Sequence, residues 1–200
     1  MSPDDDPADV LPLEAHARES LRYIRTAMER AGSFTAVSGR GQVAVGGTAL
    51  AAAAVAARVT EPRAWVLVWL AELVVAVAVA GAAMRSKARA AGLPLFSGAA
   101  RRFALVFTLP LLAGAILTVA LLRAGAFALL PGTWLTLYGV AVTGGATFSV
   151  APVRSMGLGF LLFGVTALFL PRPWTDLCMA AAFGGLHVVF GIAIARVHGG

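Results

Sequence analysis

Two ionisable residues, Glu72 and His187, lie in the middle of long apolar segments of this chain. An ionisable side chain at such a position is costly in lipid unless it has a partner or water. Counted from the ends of their segments, the two residues lie at similar depth, so they could meet. A glutamate and a histidine at one depth could relay a proton or hold a cation. The same residues could instead form an interhelical hydrogen bond, which contributes less than about 2 kcal/mol and fixes helix register.

Other reactive residue types are too few for a known catalytic or metal site. Cys178 is the single cysteine, and the remaining histidines, His16 and His198, lie near the chain ends, so neither a disulfide nor a spaced set of zinc ligands is expected. Signatures of intramembrane proteases, P-loops and Rossmann glycine patterns do not occur. We therefore expect no cofactor, no metal and no enzymatic activity.

The composition requires lipid as the main solvent. Hydrophobic residues make up 59% of the chain, charged residues 13%, and the mean hydropathy is +0.83. A soluble domain of this length leaves too much of its surface wet to hide so many apolar residues. Six apolar segments follow one another, at residues 42–57, 64–83, 103–122, 132–151, 156–170 and 175–195. These segments predict an all-α polytopic membrane protein with a six-helix transmembrane bundle over residues 42–196.

The 16 basic residues lie between the apolar segments, which indicates membrane topology and not a nucleic-acid surface. If the N terminus is cytoplasmic, twelve Lys and Arg fall on the inside and four on the outside. This difference predicts six spans with both termini cytoplasmic. Five of the inside residues lie in the longest inside loop, residues 84–102: Arg85, Lys87, Arg89, Arg101 and Arg102. They are expected to contact anionic lipid; an acidic protein partner is the alternative.

The N-terminal region divides into a tail and an amphipathic helix. Residues 1–12 combine four aspartates with three prolines, which predicts a disordered acidic tail. Within residues 13–41, apolar residues recur every three or four positions up to residue 31, which predicts a cytoplasmic amphipathic helix followed by a linker. Its stripe and flanking arginines include Arg18, Leu21, Arg22, Ile24, Arg25 and Met28. The helix is expected to lie on anionic lipid or dock under the bundle; a cytoplasmic protein partner and self-association are the alternatives.

Glycines recur at regular spacing inside the predicted spans. Gly157 with Gly164, and Gly184 with Gly191, lie seven residues apart and so share a helix face. Small residues let helix backbones approach closely in lipid. The spacing predicts a compact bundle; glycine hinges or a broken helix at a transport site are the alternative.

Residues 21–37 read LRYIRTAMERAGSFTAV and lead directly into an alanine-rich segment. This string resembles a group of uncharacterised bacterial integral membrane proteins in which a short amphipathic helix precedes about six spans. The resemblance implies that architecture in a bacterial inner membrane. It implies no activity and no functional residues.

For function we favour a non-enzymatic membrane module whose N-terminal helix and basic loop contact a partner or anionic lipid. The patterned charge of the chain lies outside the spans, and the spans contain few polar residues. The alternative is a small transporter or channel with a polar site at Glu72 and His187.

Overall fold

The computed structural model describes residues 19–24, 37–92, 98–172 and 174–198, and the regular structure within these ranges is helical. The predicted all-α class is therefore confirmed. Met1–Ser33 and Phe34–Gly200 are separate compact units. In the first unit, residues 19–24 are helical. The predicted acidic tail and the rest of the predicted amphipathic helix lie outside the described residues.

Seven helices form the described part of the second unit. They are α1 (Gly39–Ala56), α2 (Pro62–Ala90), α3 (Gly98–Arg123), α4 (Leu130–Gly145), α5 (Ala151–Phe169), α6 (Trp174–Met179) and α7 (His187–His198). A π-helical segment, Ala180–Leu186, joins α6 to α7. Short 3-10 turns, Phe127–Leu129 and Ala146–Phe148, flank α4.

Five helical stretches are long and apolar enough to cross a membrane. They are Pro62–Ala90, Ala100–Arg123, Phe127–Phe148, Ala151–Phe169 and Trp174–Val197. A polytopic helical membrane protein is thus supported, with five such spans where the sequence predicted six. The remaining predicted segment corresponds to α1, which has 18 residues and carries Arg40 and Gln42 in its first turn. These two residues leave α1 a shorter apolar stretch than the other five.

The ends of α2 correct the predicted basic loop. The Glu61 carboxylate caps the start of the helix by accepting from the backbone N–H groups of Arg63 and Ala64. The helix then continues to Ala90, and Gly92 follows with a φ of 62°, the left-handed conformation that ends many helices. Basic side chains are favourable in the last turn of a helix. The connection is therefore mostly helix: Arg85, Lys87 and Arg89 lie on α2, and Arg101 and Arg102 lie on α3.

Glycine seams hold two antiparallel helix pairs together. Along α1, Gly39 faces Ala195 of α7, and Gly46 faces Gly184 in the π-helical segment that leads into α7. A Cβ atom added at Gly46 would lie 2.7 Å from the carbonyl oxygen of Gly184, so the two backbones are in direct contact. Between α4 and α5 the same arrangement recurs, with Gly132 and Gly139 on α4 facing α5, and Gly157 and Gly164 on α5 facing α4. The predicted close packing at glycines seven residues apart is confirmed.

The helices α2 and α3 pack less extensively. Among the described helices, α2 packs mainly on α1, and α3 packs mainly on α4. Large apolar side chains cover their outer faces, and Val74 and Ile116 are 69% and 71% exposed. In a membrane these faces would contact lipid.

Candidate functional site

His187 lies in an aromatic cluster at the centre of the bundle. It is 2% exposed, and its Nε2 lies 2.9 Å from the hydroxyl oxygen of Tyr138 on α4. The ring of Phe160 meets the imidazole edge-on, and the ring of Phe183 stacks on it. Hydrogen bonds are electrostatically stronger in such an environment, and losing one partner leaves the other buried and unsatisfied. The pair therefore fixes the orientation of the Tyr138 hydroxyl.

The π-helical segment positions His187. This residue is the first of α7 and directly follows Ala180–Leu186. A π segment changes the direction in which the following side chains point, and such segments are frequent at functional sites. The Nδ1 atom of His187 is buried near the carbonyl groups of Ala182 and Phe183, without a hydrogen bond of standard geometry among the described residues. The sixth predicted span is thus not a regular α-helix at the depth of His187.

Glu72 has a different partner. The Thr48 hydroxyl on α1 lies 2.8 Å from Oε1 of Glu72, to which it donates, and 2.9 Å from the carbonyl oxygen of Val45. Glu72 is 9% exposed, and the hydrogen bond from Thr48 gives its carboxyl group a polar partner at the interface of α1 and α2. Within the described ranges, no hydrogen bond or ion pair joins Glu72 to His187. Each of the two residues is accommodated separately.

A cavity of about 150 Å³ lies beside Tyr138, and we call it the central cavity. Its walls come from α1, α2, α3, α4, α5 and α7. Most of the lining is apolar, including Val142, Met156 and Ile194. An apolar cavity of this volume has room for one molecule of the size of benzene.

Three polar side chains line the central cavity: Ser38, Gln42 and Tyr138. The Ser38 hydroxyl oxygen accepts from the backbone N–H of Gly41. The Oε1 atom of Gln42 is buried and has no hydrogen-bond partner among the residues that the structure describes. The Tyr138 hydroxyl is held by His187. A buried acceptor without a donor costs about 1–3 kcal/mol, so the Gln42 oxygen requires a donor that the described residues do not provide. In the sequence Gln42 is only the first residue of a short apolar segment, and no motif marks it.

One wall of the central cavity comes from α2 and α3. Met84 on α2 and the pair Phe103 and Phe107 on α3 line it and are only half-buried. The Lys87 side chain donates to the carbonyl oxygen of Val37, another lining residue, at 2.9 Å. This bond ties the end of α2 to the segment before α1. We call this end of the bundle the cavity end.

The opposite ends of α2 and α3 are connected through α4. Trp65 on α2 donates its indole N–H to Oδ1 of Asp176 at 2.9 Å, and its ring stacks on Trp134 of α4 with 5.7 Å between centroids. Trp134 donates to the hydroxyl of Thr118 on α3 at 2.8 Å. Arg172 pairs with Asp176 at 3.1 Å and lies over the Trp65 ring. These five residues are the Trp clasp, and they define the clasp end of the bundle.

The predicted partner-contact residues on α2 and α3 do not line the central cavity, and the others belong to the first unit or lie outside the described ranges. In the first unit, Leu21 and Ile24 are 67% and 52% exposed, and Arg22 is also exposed. Arg18, Arg25 and Met28 lie outside the described residues. Arg85, Arg89, Arg101 and Arg102 are exposed at the cavity end, and Lys87 is half-buried. Contact of these residues with a partner or anionic lipid stays a prediction.

Comparisons with protein-family models, with curated proteins and with solved structures found no match. No family is therefore identified, and the resemblance of residues 21–37 stays a prediction. The functional argument rests on the geometry of the bundle.

Proposed function

We propose that this protein is a non-enzymatic, six-span protein of the bacterial inner membrane that binds a small, largely apolar molecule in the central cavity. The observation that carries the proposal is a largely apolar cavity large enough for a ligand, one of whose lining residues, Gln42, has a buried side-chain oxygen without a partner among the described residues. Sites for small molecules are commonly apolar with a few convergent polar groups. The central cavity has this composition.

A crossing of the membrane by α1 is part of the proposal. This helix packs on α2 and on the helical stretch Trp174–Val197, which includes α7. Both of these neighbours are long and apolar enough to span a membrane. Eighteen residues at 1.5 Å per residue reach about 27 Å, close to the thickness of a hydrocarbon core. With α1 included, the bundle has six spans, and the count of basic residues favours both termini in the cytoplasm.

The chemistry of the wall specifies a ligand with one hydrogen-bond donor. The Gln42 oxygen accepts hydrogen bonds, and the neighbouring Tyr138 hydroxyl is oriented by His187. Apart from the Ser38 hydroxyl, the remaining wall is apolar, so a charged ligand would lose its hydration without compensation. A neutral, benzene-sized molecule with a single hydroxyl or N–H group fits both conditions.

Access is proposed from the lipid, between α2 and α3. These two helices pack mainly on other neighbours, and half-buried side chains close the gap between them at the cavity end. A largely apolar ligand partitions into the bilayer, so a lateral path needs no aqueous channel.

Binding is tested with two probes, 4-fluorophenol and fluorobenzene. It is measured by fluorine NMR on the full chain in nanodiscs, and empty nanodiscs give the baseline. Both probes should bind saturably, with 4-fluorophenol favoured about fivefold because one hydrogen bond contributes about 1 kcal/mol. Gln42→Leu should remove this preference and keep fluorobenzene binding. Ala80→Phe should fill the central cavity and abolish binding of both probes.

The matched control is Ala78→Phe, which adds the same ring to an exposed position of α2. It should bind both probes as the wild type does. Equal saturable binding by the wild type and Ala80→Phe would show that the central cavity is not the site.

A partner-binding module is the second candidate function. The apolar residues Leu21, Tyr23 and Ile24 are exposed on the helical residues 19–24 of the first unit, as a docking helix requires. Purification of the tagged full chain in mild detergent should yield a stoichiometric protein or a second copy of the chain. The Leu21→Asp, Ile24→Asp, Met28→Asp triple variant should lose it. Retention of the same companion by the triple variant would exclude this helix as the contact.

A further inference from the structure

A second concave site lies at the surface of the bundle, between the first turn of α1 and the last turns of α7. It is a shallow depression of about 350 Å³, lined by Arg40, Val43, Ile192, Ala195 and Arg196. None of these residues lines the central cavity. We call it the arginine depression.

The glycine seam between α1 and α7 creates the arginine depression. Gly39 faces Ala195, and Gly191 faces Val43. Because the two backbones touch at these positions, side chains on neighbouring turns of both helices flank the same hollow. Two exposed arginines, Arg40 and Arg196, therefore share one site although 155 positions separate them in the sequence.

The charge of the arginine depression is uncompensated within the described part of the chain. No acidic residue lines it, and neither Arg40 nor Arg196 has a hydrogen-bond or ion-pair partner among the described residues. The first turn of α1 brings the positive end of a helix dipole and the last turns of α7 bring a negative end, so the net positive charge comes from the two arginines. A guanidinium group offers several N–H donors in the geometry that suits phosphate.

The apolar part of the arginine depression lies deeper along the helices. Val43 is one turn further into α1 than Arg40, and Ile192 is one turn further into α7 than Arg196. Charge at the helix ends and apolar surface one turn inward match the order of groups in a phospholipid. Basic pockets between spans are known to bind anionic lipid head groups.

We infer that the arginine depression binds an anionic phospholipid, with its phosphate between Arg40 and Arg196 and the start of an acyl chain against Val43 and Ile192. This inference rests on the proposed membrane crossing of α1 and not on a ligand in the central cavity. The two can therefore fail separately.

The test is native mass spectrometry of the full chain released from nanodiscs of phosphatidylcholine with a minor fraction of phosphatidylglycerol. The wild type should retain phosphatidylglycerol above its share of the bilayer. Each basic residue near a membrane surface contributes about 1 kcal/mol, so Arg40→Gln with Arg196→Gln should weaken retention about 30-fold, and each single change about fivefold.

Two further variants separate a site from a general effect of charge. Arg58→Gln with Arg123→Gln removes the same charge from exposed positions elsewhere and should retain phosphatidylglycerol like the wild type. Arg40→Lys with Arg196→Lys keeps the charge and should keep most of the phosphatidylglycerol retention. This variant tests the site even when the glutamine variant folds poorly. Equal retention by the glutamine pair and the control pair would overturn the inference. Displacement of the lipid by inorganic phosphate at constant ionic strength would also overturn it, because the ligand would then be a soluble anion.

Discussion

The helices α2 and α3 have different surroundings at the clasp end and at the cavity end of the bundle. At the clasp end, the donors and acceptors of Trp65, Asp176, Trp134 and Thr118 pair with one another across four helices. At the cavity end, α2 and α3 border a hollow in which the Gln42 oxygen has no donor among the described residues. Regions with few packed contacts open most easily, and binding sites are drawn from them. We therefore expect the clasp end to be the more stable end and, in the proposed function, the ligand to exchange at the cavity end.

The largest effect is expected from Trp65→Ala. This change removes a buried aromatic ring, its stacking on Trp134 and the donor to Asp176, and should lower the free energy of unfolding by about 3–5 kcal/mol. Trp174→Ala removes the same residue type from a position that is 56% exposed, and should cost far less. Unfolding of both variants in detergent checks this prediction. Similar losses of unfolding free energy in the two variants would mean that the Trp clasp does not give the clasp end additional stability.

A smaller effect is expected from Gly46→Ala, which tests the seam on which both ends depend. The added methyl group would lie 2.7 Å from the Gly184 carbonyl oxygen, so α1 must move away from the π-helical segment and the start of α7, at a cost of about 1–3 kcal/mol. Gly47→Ala is the matched control, because nothing lies within 4 Å of its added methyl group. It should be neutral or slightly stabilising, since alanine favours helix. Unfolding in detergent distinguishes the two neighbouring glycines; equal stability would argue against backbone contact at this seam.

The smallest effect concerns pH and the start of α2, next to the Trp clasp. The backbone N–H groups of Arg63 and Ala64 lower the pKa of the Glu61 carboxyl below its ordinary value of 4.5. A carboxyl group with a lowered pKa in the folded state contributes stability above its unfolded pKa and loses that contribution as the pH falls through its folded value. Glu61→Gln should therefore be less stable than the wild type at pH 7, and the difference should shrink as the pH falls below 4.5. A difference that persists in acid would mean that the capping carboxylate is not its source.

The sequence predicts where the helices of this protein lie along the chain better than it predicts which helices pack against one another. Long apolar segments locate the spans, and the spacing of Gly157 and Gly164 identifies one face of a seam. The partners of Glu72 and His187 depend on the lateral order of helices, which hydropathy does not contain, and Thr48 and Tyr138 therefore appear only in the structure. The basic residues after residue 84 indicate a membrane boundary but not the end of the helix, because lysine and arginine stabilise the last turn of a helix as readily as they occupy a loop.

The residues of the two proposed binding sites are harder to predict. Gln42 belongs to no motif, and its proposed role depends on its position beside a cavity formed by six helices. Arg40 and Arg196 lie at opposite ends of the described bundle sequence and meet only because glycine lets α1 and α7 touch. In both cases the signal is a packing relationship between distant segments, which a single sequence does not display.

The central claim is that α2 and α3 are held firmly at the clasp end and loosely at the cavity end. Its most direct test is a pair of distances between the two helices, measured by pulsed electron paramagnetic resonance in nanodiscs. On a Cys178→Ala background, nitroxide labels at positions 67 and 119 report the clasp end, and labels at 82 and 105 report the cavity end; all four positions are exposed. The account predicts a narrow distribution at the clasp end and a broad one at the cavity end that narrows with 4-fluorophenol. Equally narrow distributions at both ends, unchanged by the probe, would contradict it.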